Sequence, residues 1–404
     1  MASKAVTVWL ANLYHGGGAS PTGVLMESAA TALQRAGHEV TVLSGNAAYN
    51  GSYCEPTERS TGRVRRLTTF PRQPRGLWGR LLSWGTYLAS LSLFAFTHRL
   101  PDVVIVMTTP PYMHVPFLIR NALSLRKARL LLWSQDVYPE ILAAVGILRW
   151  NSWTYRALLR LQGWATSRVH AALVLDEAMA HISRSHGAKM VHVVPNWDVD
   201  FDSTESEREL HDLLKLLRET RRRFRFIILY TGNYSWGHDL SLVLRFLHQH
   251  PGQRDFCFAF VGGGEKWHEL EHFQDLERLA SVVLHPYIRR ELVRSLIEQA
   301  DIGLVTLQKR SLGLMSPSKI HGYLTQGKPL LYIGPRGSNV AEAIERFGCG
   351  WRIDEDDLAE FERTLDAISR GDQAGEWTSQ AQRAARERYL EDAGTATFCR
   401  AIGS

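Results

Sequence analysis

Residues 301–350 contain the feature that most constrains the fold, a strand, a helix and a second strand joined by short connections. Residues 302–307 and 330–333 have the short apolar pattern of buried strands. Between them, residues 319–326 are expected to form a helix, because Pro317 suits a first helical turn, where its missing N–H is not needed. Strands that alternate with helices build a parallel sheet, so we predict an α/β fold.

The connection before this helix carries Ser316, Pro317, Ser318 and Lys319. A lysine, two hydroxyls and the free N–H groups of a helix start suit a phosphate-bearing ligand. The same residues also suit ordinary helix capping, with Ser316 or Ser318 as the cap. The local pattern leaves both interpretations open.

The length of 404 residues indicates two domains, because single hydrophobic cores seldom exceed about 250–300 residues. We predict domains at 1–197 and 206–376, a linker at 198–205 and a helical segment at 377–404. The four cysteines stand far apart, which argues against a zinc site or a disulfide framework and favours the cytoplasm. The chain enters its first strand without the pattern of a signal peptide.

Strand patterns recur through both predicted domains. The helices expected between and after them include residues 21–36, 205–223 and 377–400. The strands are expected at 5–13, 40–43, 103–107, 130–133, 171–175 and 191–194, and then at 226–230, 256–261, 283–285, 302–307 and 330–333.

A glycine loop at 15–19 follows the first strand. Backbone amides at Gly17 and Gly18 can approach a phosphate or a sugar closely, although a tight turn explains the glycines equally well. The loop lacks the dinucleotide-binding G-x-G-x-x-G spacing, so we infer no dinucleotide.

The net charge of +6 is concentrated in one tract. Residues 59–101 contain no Asp or Glu, and the apolar residues 77–97 are interrupted by Arg80. Arginine beside tryptophan suggests a segment at an anionic membrane surface, while the alternative is a helix packed on the sheet. No nucleic-acid-binding module is evident. The residues assigned to an acceptor or membrane contact are Arg65, Arg66, Arg75, Trp78, Arg80 and Trp84.

Asp136 follows the strand at 130–133, where open α/β sheets place their ligands, although it also suits a helix cap. Farther on, the acidic run at 198–209 places Asp198, Asp200, Asp202 and Glu209 at calcium-loop positions. Position 6 of that loop is serine where glycine is required, so we reject calcium and favour a solvated linker.

Six segments carry a resemblance to a known family. They are residues 14–18, QDVYPE at 135–140, VPNW at 194–197, LYTGNYSWGHDL at 229–240, FVGGGE at 260–265 and SPSKIHGYLTQGKPLLYI at 316–333. Together they resemble the family 4 glycosyltransferases, which are retaining enzymes, and most closely the subgroup that builds bacterial exopolysaccharide and O-antigen. The resemblance implies the GT-B fold, with two Rossmann-like domains whose parallel sheets face a central cleft, and a final helix that crosses back to the first domain.

The resemblance also implies a function. The donor would be a UDP-sugar, with an N-acetylhexosamine or a deoxy-aminosugar. The acceptor would be a glycan, or a glycan on a polyprenyl diphosphate at the cytoplasmic face of the inner membrane. No metal or other cofactor is expected. Asp136 and Lys319 are the implied catalytic residues, and the implied donor-binding residues are Gly17, Gly18, Gly232, Asn233, Gly263, Ser316, Pro317, Ser318, Lys319, Tyr323 and Glu342.

The sequence departs from the family in two respects. Leu314 and Gly322 occupy the positions of two glutamates that many members carry, so ribose recognition is unassigned, with Glu342 as a substitute candidate. Residues 229–243 also lack the Arg and Lys that relatives use for the diphosphate, which gives Lys319 more weight. A sugar-nucleotide 2-epimerase of the same fold and a non-catalytic sugar-nucleotide-binding scaffold are the alternatives.

Overall fold

The computed structural model describes residues 5–15, 20–47, 63–74, 76–199, 207–371 and 374–403. The chain divides into two compact units. Unit 1 comprises Met1–Val199, Gly313–Met315 and Glu391–Ser404, and unit 2 comprises Asp200–Leu312 and Ser316–Leu390. Each unit contains a sheet of parallel strands, which confirms the predicted α/β class.

Unit 1 is built on a sheet with helices between its strands. Its strands are β1 (Thr7–Asn12), β2 (Glu39–Ser44), β3 (Arg63–Arg66), β4 (Val103–Met107), β5 (Arg129–Trp133), β6 (Ala171–Val174) and β7 (Val191–Val193). Its helices are α1 (Pro21–Arg35), α2 (Gly76–Thr97), α3 (His114–Ala122), α4 (Glu140–Ala144), α5 (Trp153–Thr166), α6 (Glu177–Ser185) and, at the end of the chain, α15 (Glu391–Gly403). The described strands lie in the order β3-β2-β1-β4-β5-β6-β7, and each neighbouring pair is parallel. The central strands are nearly continuous apolar runs because both faces of a parallel sheet are covered.

Helix α2 packs on this sheet through one stripe of its surface. Tyr87, Leu91 and Ala95, spaced four residues apart, are fully buried. The Tyr87 hydroxyl donates towards the carbonyl oxygens of Asn12 (3.0 Å) and Leu43 (2.8 Å), at the ends of β1 and β2. The helix is thus fixed to the sheet by one buried polar contact within an apolar interface.

Unit 2 is built in the same way. Its strands are β8 (Phe226–Asn233), β9 (Phe256–Gly263), β10 (Val282–Pro286), β11 (Ile302–Thr306), β12 (Leu330–Ile333) and β13 (Gly350–Ile353). Its helices are α7 (Glu207–Arg221), α8 (Ser241–Gln249), α9 (Trp267–Glu277), α10 (Val293–Glu298), α11 (Lys319–Thr325), α12 (Asn339–Phe347), α13 (Leu358–Arg370) and α14 (Ala374–Ala384). The described strands lie in the order β10-β9-β8-β11-β12-β13, all parallel. The crossovers place the carboxyl ends of β8, β9 and β11 at one edge of the sheet.

The structure corrects two predicted boundaries. The strand predicted at 226–230 continues to Asn233, because Gly232 and Asn233 pair with Gly262 and Gly263 of β9. The helical stretch predicted at 377–400 is interrupted, because Leu390 adopts an extended conformation (ψ 152°) between a π-helical turn and α15.

Candidate functional site

Lys319 is the first residue of α11, and its ammonium group has only uncharged neighbours. Its Nζ lies 3.3 Å from the carbonyl oxygen of Asn233 and 3.5 Å from Nε2 of His238. It also lies 4.5 Å from the centre of the Tyr230 ring, which is a cation–π distance. Burial lowers the pKa of Lys319 to about 7. Among the ion pairs of the described residues, none joins a carboxylate to Lys319, so this cation is available to an anionic ligand.

His238 faces Lys319 with an uncharged ring nitrogen. Its side chain is buried, and Nδ1 lies 2.6 Å from the carbonyl oxygen of Thr306, to which it donates. Since a neutral imidazole has one N–H, the Nε2 atom presents its lone pair to Lys319. Burial and the neighbouring Lys319 hold the pKa of His238 well below its usual range. His238 therefore accepts from the ammonium group and adds no charge of its own.

The carboxyl ends of β8 and β9 form a surface of glycine backbone beside Lys319. Gly232 has a φ of +93°, and a Cβ on Gly262 would lie 2.0 Å from the carbonyl oxygen of Gly232. The Tyr287 ring covers Gly263, where a Cβ would lie 2.7 Å from ring atom Cε2. The Tyr287 hydroxyl donates to Oδ1 of Asn233 (3.3 Å). Close packing thus requires glycine at 262 and 263, whereas a Cβ on Gly232 would have only Lys319 Cε near it, at 3.9 Å, so the open backbone beside Lys319 is that of Gly232.

Lys266 brings a second cation to the same loops. Its Nζ donates to the carbonyl oxygen of His238 (3.2 Å) and lies 4.9 Å from the centre of the Tyr234 ring. Lys266 also pairs with Glu269 at 3.7 Å, so its charge is partly balanced. Lys266, from the segment after β9, thus contacts residues 229–243, which contain neither Arg nor Lys.

The Ser316–Ser318 connection matches the sequence prediction only in part. Ser318 is the residue before α11, but its side chain makes no capping hydrogen bond. Pro317 is buried, Ser316 is half-buried and Ser318 is exposed. The Ser318 hydroxyl is thus not committed to capping this helix.

Two predicted donor contacts have other roles in the structure. Tyr323 is fully buried, and its hydroxyl donates to the carbonyl oxygen of Leu229 (2.7 Å) and accepts from the N–H of Thr231 (3.0 Å). Glu342 accepts two hydrogen bonds from Arg388, at 2.6 and 3.3 Å. We therefore correct the assignment of Tyr323, which supports the strand that carries Gly232 and Asn233. The Glu342 side chain is 38% exposed beside its ion pair, so its assignment to the ribose stays a prediction.

Asp136 lies in unit 1, in the loop after β5. The Thr108 hydroxyl accepts hydrogen bonds from the backbone N–H groups of Gln135 (3.0 Å) and Asp136 (3.2 Å), which fixes this loop against the end of β4. Burial raises the pKa of Asp136 to about 6. Within the described part of the chain, no hydrogen bond reaches the Asp136 carboxylate, which is therefore available to a donor group on a ligand.

A polar cavity adjoins Asp136 within unit 1. His114 in this cavity is buried, neither of its ring nitrogens has a hydrogen-bond partner among the described residues, and burial lowers its pKa to about 4. His186, also in the lining, has its Nε2 atom 2.7 Å from Oε1 of Glu140. The lining residues are Thr108, Pro111, Tyr112, His114, Leu132, Ser134, Asp136, Val137, Tyr138, Gln162, Thr166, Met179, Ser183 and His186.

The loop after β1 is only partly described. Gly17 and Gly18, with Arg75 farther on, lie outside the described residues, so their assignments stay predictions. Arg66 donates to the carbonyl oxygens of His15 and Gly45, each at 3.2 Å. Arg66 thus connects the loops after β1 and β2 and is itself exposed, so its assignment as an acceptor or membrane contact stays a prediction.

The remaining surface predictions fall on β3 and α2. Arg65 and Arg80 are exposed, and Trp78 is 82% exposed. Trp84 is half-buried against the core of unit 1, so it contributes little free surface. No described helix is long and apolar enough to cross a bilayer. Within the described ranges, no group of three His, Cys, Asp or Glu side chains could hold a metal ion, and independence from metals stays a prediction.

Comparison with known sequences relates the chain to sugar-transferring enzymes. Residues 22–197 match the family described as "Glycosyl transferase 4-like domain". The protein named "Probable glycosyltransferase WbjE", from Pseudomonas aeruginosa, is 26% identical over 310 residues, which are 73% of this chain and 74% of that protein.

Solved structures share the fold at low sequence identity. Sucrose-phosphate synthase from Thermosynechococcus elongatus has a TM-score of 0.71 at 11% identity, over 98% of each chain. HepE from Anabaena, in complex with UDP-glucose, has a TM-score of 0.68 at 14% identity, over 98% of this chain and 99% of that chain. The similarity therefore extends over both units.

Proposed function

We propose that this chain, a family 4 glycosyltransferase with the GT-B fold, transfers a sugar from a UDP-sugar to a hydroxyl group of a glycan acceptor, with retention at the anomeric carbon. The family and the fold, both expected from the motifs, are confirmed by the matches in sequence and structure. The observation that carries the proposal is Lys319, a cation without a carboxylate partner in the described chain, beside the glycine surface at the ends of β8 and β9.

Donor activation follows from the charge at this surface. When the sugar leaves, negative charge develops on the diphosphate, and a preformed cation stabilises that charge more in the transition state than in the ground state. Lys319 supplies this cation, and Lys266 adds a weaker one. The backbone at Gly232, where a Cβ would have only Lys319 Cε near it, lets a phosphate approach beside Lys319. The complex of HepE with UDP-glucose supports UDP-sugar as the donor class.

The acceptor half of the reaction is assigned to Asp136. With a pKa of about 6, its carboxylate is mostly ionised at pH 7 and accepts a hydrogen bond from the acceptor hydroxyl. The departing diphosphate can take the acceptor proton in a front-face reaction, so no side-chain base is required. Asp136 thus orients the hydroxyl near the anomeric carbon.

We assign the acceptor to bacterial cell-surface polysaccharide synthesis, as a glycan on a polyprenyl diphosphate. Such a substrate resides at a membrane, and the exposed Trp78 beside Arg80 on α2 supports contact with an anionic cytoplasmic leaflet. The sugar is assigned as an N-acetylhexosamine or a deoxy-aminosugar.

A non-catalytic binding protein is the second candidate. It is favoured by Leu314 and Gly322, where many family members carry glutamate. The 2-epimerase alternative is less favoured, because the described neighbours of Lys319 are uncharged whereas epimerisation depends on clustered carboxylates.

A donor panel tests the proposal. We expect UDP and one UDP-sugar to stabilise the protein by about 2.7 kcal/mol when present at one hundred times the dissociation constant, as measured by thermal shift. GDP and ADP serve as matched nucleotides and should give smaller shifts. Transfer with the selected donor, followed by NMR of the product anomer, tests retention. Binding without turnover on any glycan acceptor would favour the scaffold, and the absence of any nucleotide shift would refute the donor site.

A further inference from the structure

A second surface of unit 1, on α5, has the composition of a membrane contact. The exposed residues of α5 share one face of the helix and are tryptophan, leucine, alanine and arginine. They are Trp153, Arg156, Ala157, Arg160, Leu161 and Trp164, at spacings of three and four. The opposite face is buried and includes Tyr155, Gln162, Ala165 and Thr166.

The exposure of the aromatic residues is high for a helix that packs on a sheet. Trp153 is 81% exposed and Trp164 is 40% exposed, while the preceding Trp150 is 53% exposed. The Trp150 ring packs at 5.3 Å from that of Tyr155, and the Arg168 guanidinium lies 5.0 Å from the Trp164 ring. Trp150 and Trp164 are thus held at the surface by their neighbours, and such exposed tryptophan is unfavourable in water unless a partner covers it.

The positive charge around α5 indicates what kind of partner covers it. Residues 141–175 contain no Asp or Glu but contain four arginines, Arg149, Arg156, Arg160 and Arg168. Helix α3 contacts both α2 and α5, and none of the three contains an acidic residue. A protein partner of ordinary composition would not require three adjacent helices to be free of acids. An anionic lipid surface does, and tryptophan and arginine both suit the interface between headgroups and water.

We propose that α5, with the Trp150 loop, is a second membrane-binding element that acts with α2 on an anionic bilayer. The inference rests on the proposed function, because a lipid-linked acceptor gives the enzyme a reason to bind the membrane. It extends the contact from one helix to a broad face of unit 1. Trp153 and Trp164 insert at the headgroup level, and Arg156 and Arg160 pair with lipid phosphates.

The test is co-sedimentation of the full chain with vesicles of phosphatidylglycerol and phosphatidylcholine, and with phosphatidylcholine alone. The wild type should bind the anionic vesicles far more tightly. Reversing two charges, as Arg156→Glu with Arg160→Glu, should weaken binding by more than about 30-fold, since each arginine at an anionic surface contributes roughly fivefold and each introduced glutamate adds repulsion. Trp153→Ser with Trp164→Ser should weaken binding about tenfold or more. The matched control, Arg245→Glu with Arg363→Glu, changes two exposed arginines of unit 2 and should leave binding unchanged.

Each outcome decides the proposal. Unchanged vesicle binding in both α5 variants would overturn it, as would an equal loss in the unit 2 control. A wild type that is dimeric in solution, and becomes monomeric on Trp153→Ser, would overturn it in favour of an interface between copies of this chain. The thermal shift with UDP, measured on every variant, is a separate readout, because vesicle binding needs no donor. If UDP gave no thermal shift with the wild type, the proposed function would be refuted, and the conclusion about membrane binding would not be affected.

Discussion

Replacing Lys319 with alanine is expected to weaken UDP binding by about 100-fold, because a charge-assisted contact to the diphosphate contributes about 1.5–3 kcal/mol. A comparable loss in kcat is expected, since the charge on the leaving group grows in the transition state. Calorimetry with UDP and steady-state transfer assays measure the two effects. The matched control is Lys309→Ala, which removes an exposed lysine from the same connection between β11 and α11 and should change neither value.

The apo stability of the Lys319 variant separates binding from folding. The folded pKa of Lys319 is about 7, below the usual value of about 10.4, so its charged form is disfavoured in the folded protein. Around pH 7 the alanine variant should therefore be no less stable than the wild type in the absence of ligand. A variant that unfolds at lower temperature without ligand, or that binds UDP normally, would contradict the assignment.

The pH dependence of UDP binding gives an independent check on Lys319. Binding of an anion favours the ammonium form, so affinity should be full below pH 7 and should fall on the order of tenfold between pH 7 and 8.5. Lys319→Arg keeps its charge across this range and should lose the dependence. Ionisation of the UDP phosphate acts in the opposite direction and is common to both proteins. A wild-type profile that is flat above pH 7 would show that Lys319 does not gain a proton on binding.

Much of the fold could be predicted because its signals are local. The strand at 103–107 and the one at 330–333 were placed at the residues where β4 and β12 lie, since short apolar runs between breakers are typical of buried parallel strands. β3 could not be predicted in this way. It is an edge strand with three exposed arginines, so its sequence resembles a charged loop.

The candidate site was harder to predict because its contacts are distant in sequence. Lys319 stands in a recognisable loop, but its neighbour His238 lies 81 residues earlier, and the local sequence does not connect the two. Lys266 is adjacent to the FVGGGE motif, which is the one signal that would have suggested it. Nothing in the local sequence distinguishes Tyr323 as a buried support of β8 from a ligand contact, because that difference depends on tertiary packing.

Replacing Asp136 with asparagine is expected to lower kcat by about 100-fold while leaving UDP binding unchanged, because misorientation of an acceptor costs about this factor.

Replacing Asp136 with asparagine should also stabilise the protein. The folded pKa of Asp136 is about 6, above the usual 3.8, so the folded state holds the proton more tightly between these values. Wild-type stability should therefore fall as pH rises from 4 to 6 and stay lower above pH 6, by roughly 2 kcal/mol. The asparagine variant should lack this fall.

Asp102 of the same unit is the matched control, because its pKa is shifted in the opposite direction from that of Asp136. It accepts hydrogen bonds from the N–H and the hydroxyl of Thr7 and pairs with Arg126, and these contacts lower its pKa to about 2. Asp102→Asn should therefore destabilise the protein near pH 7, an effect that is lost as pH falls from about 4 to 2. Thermal unfolding of both variants between pH 2 and 8 checks the two signs. If Asp136→Asn is less stable than the wild type, its carboxylate has a stabilising partner, and if kcat is retained, it does not orient the acceptor. Lower kcat combined with higher stability is the result expected of a carboxylate that is kept desolvated for function.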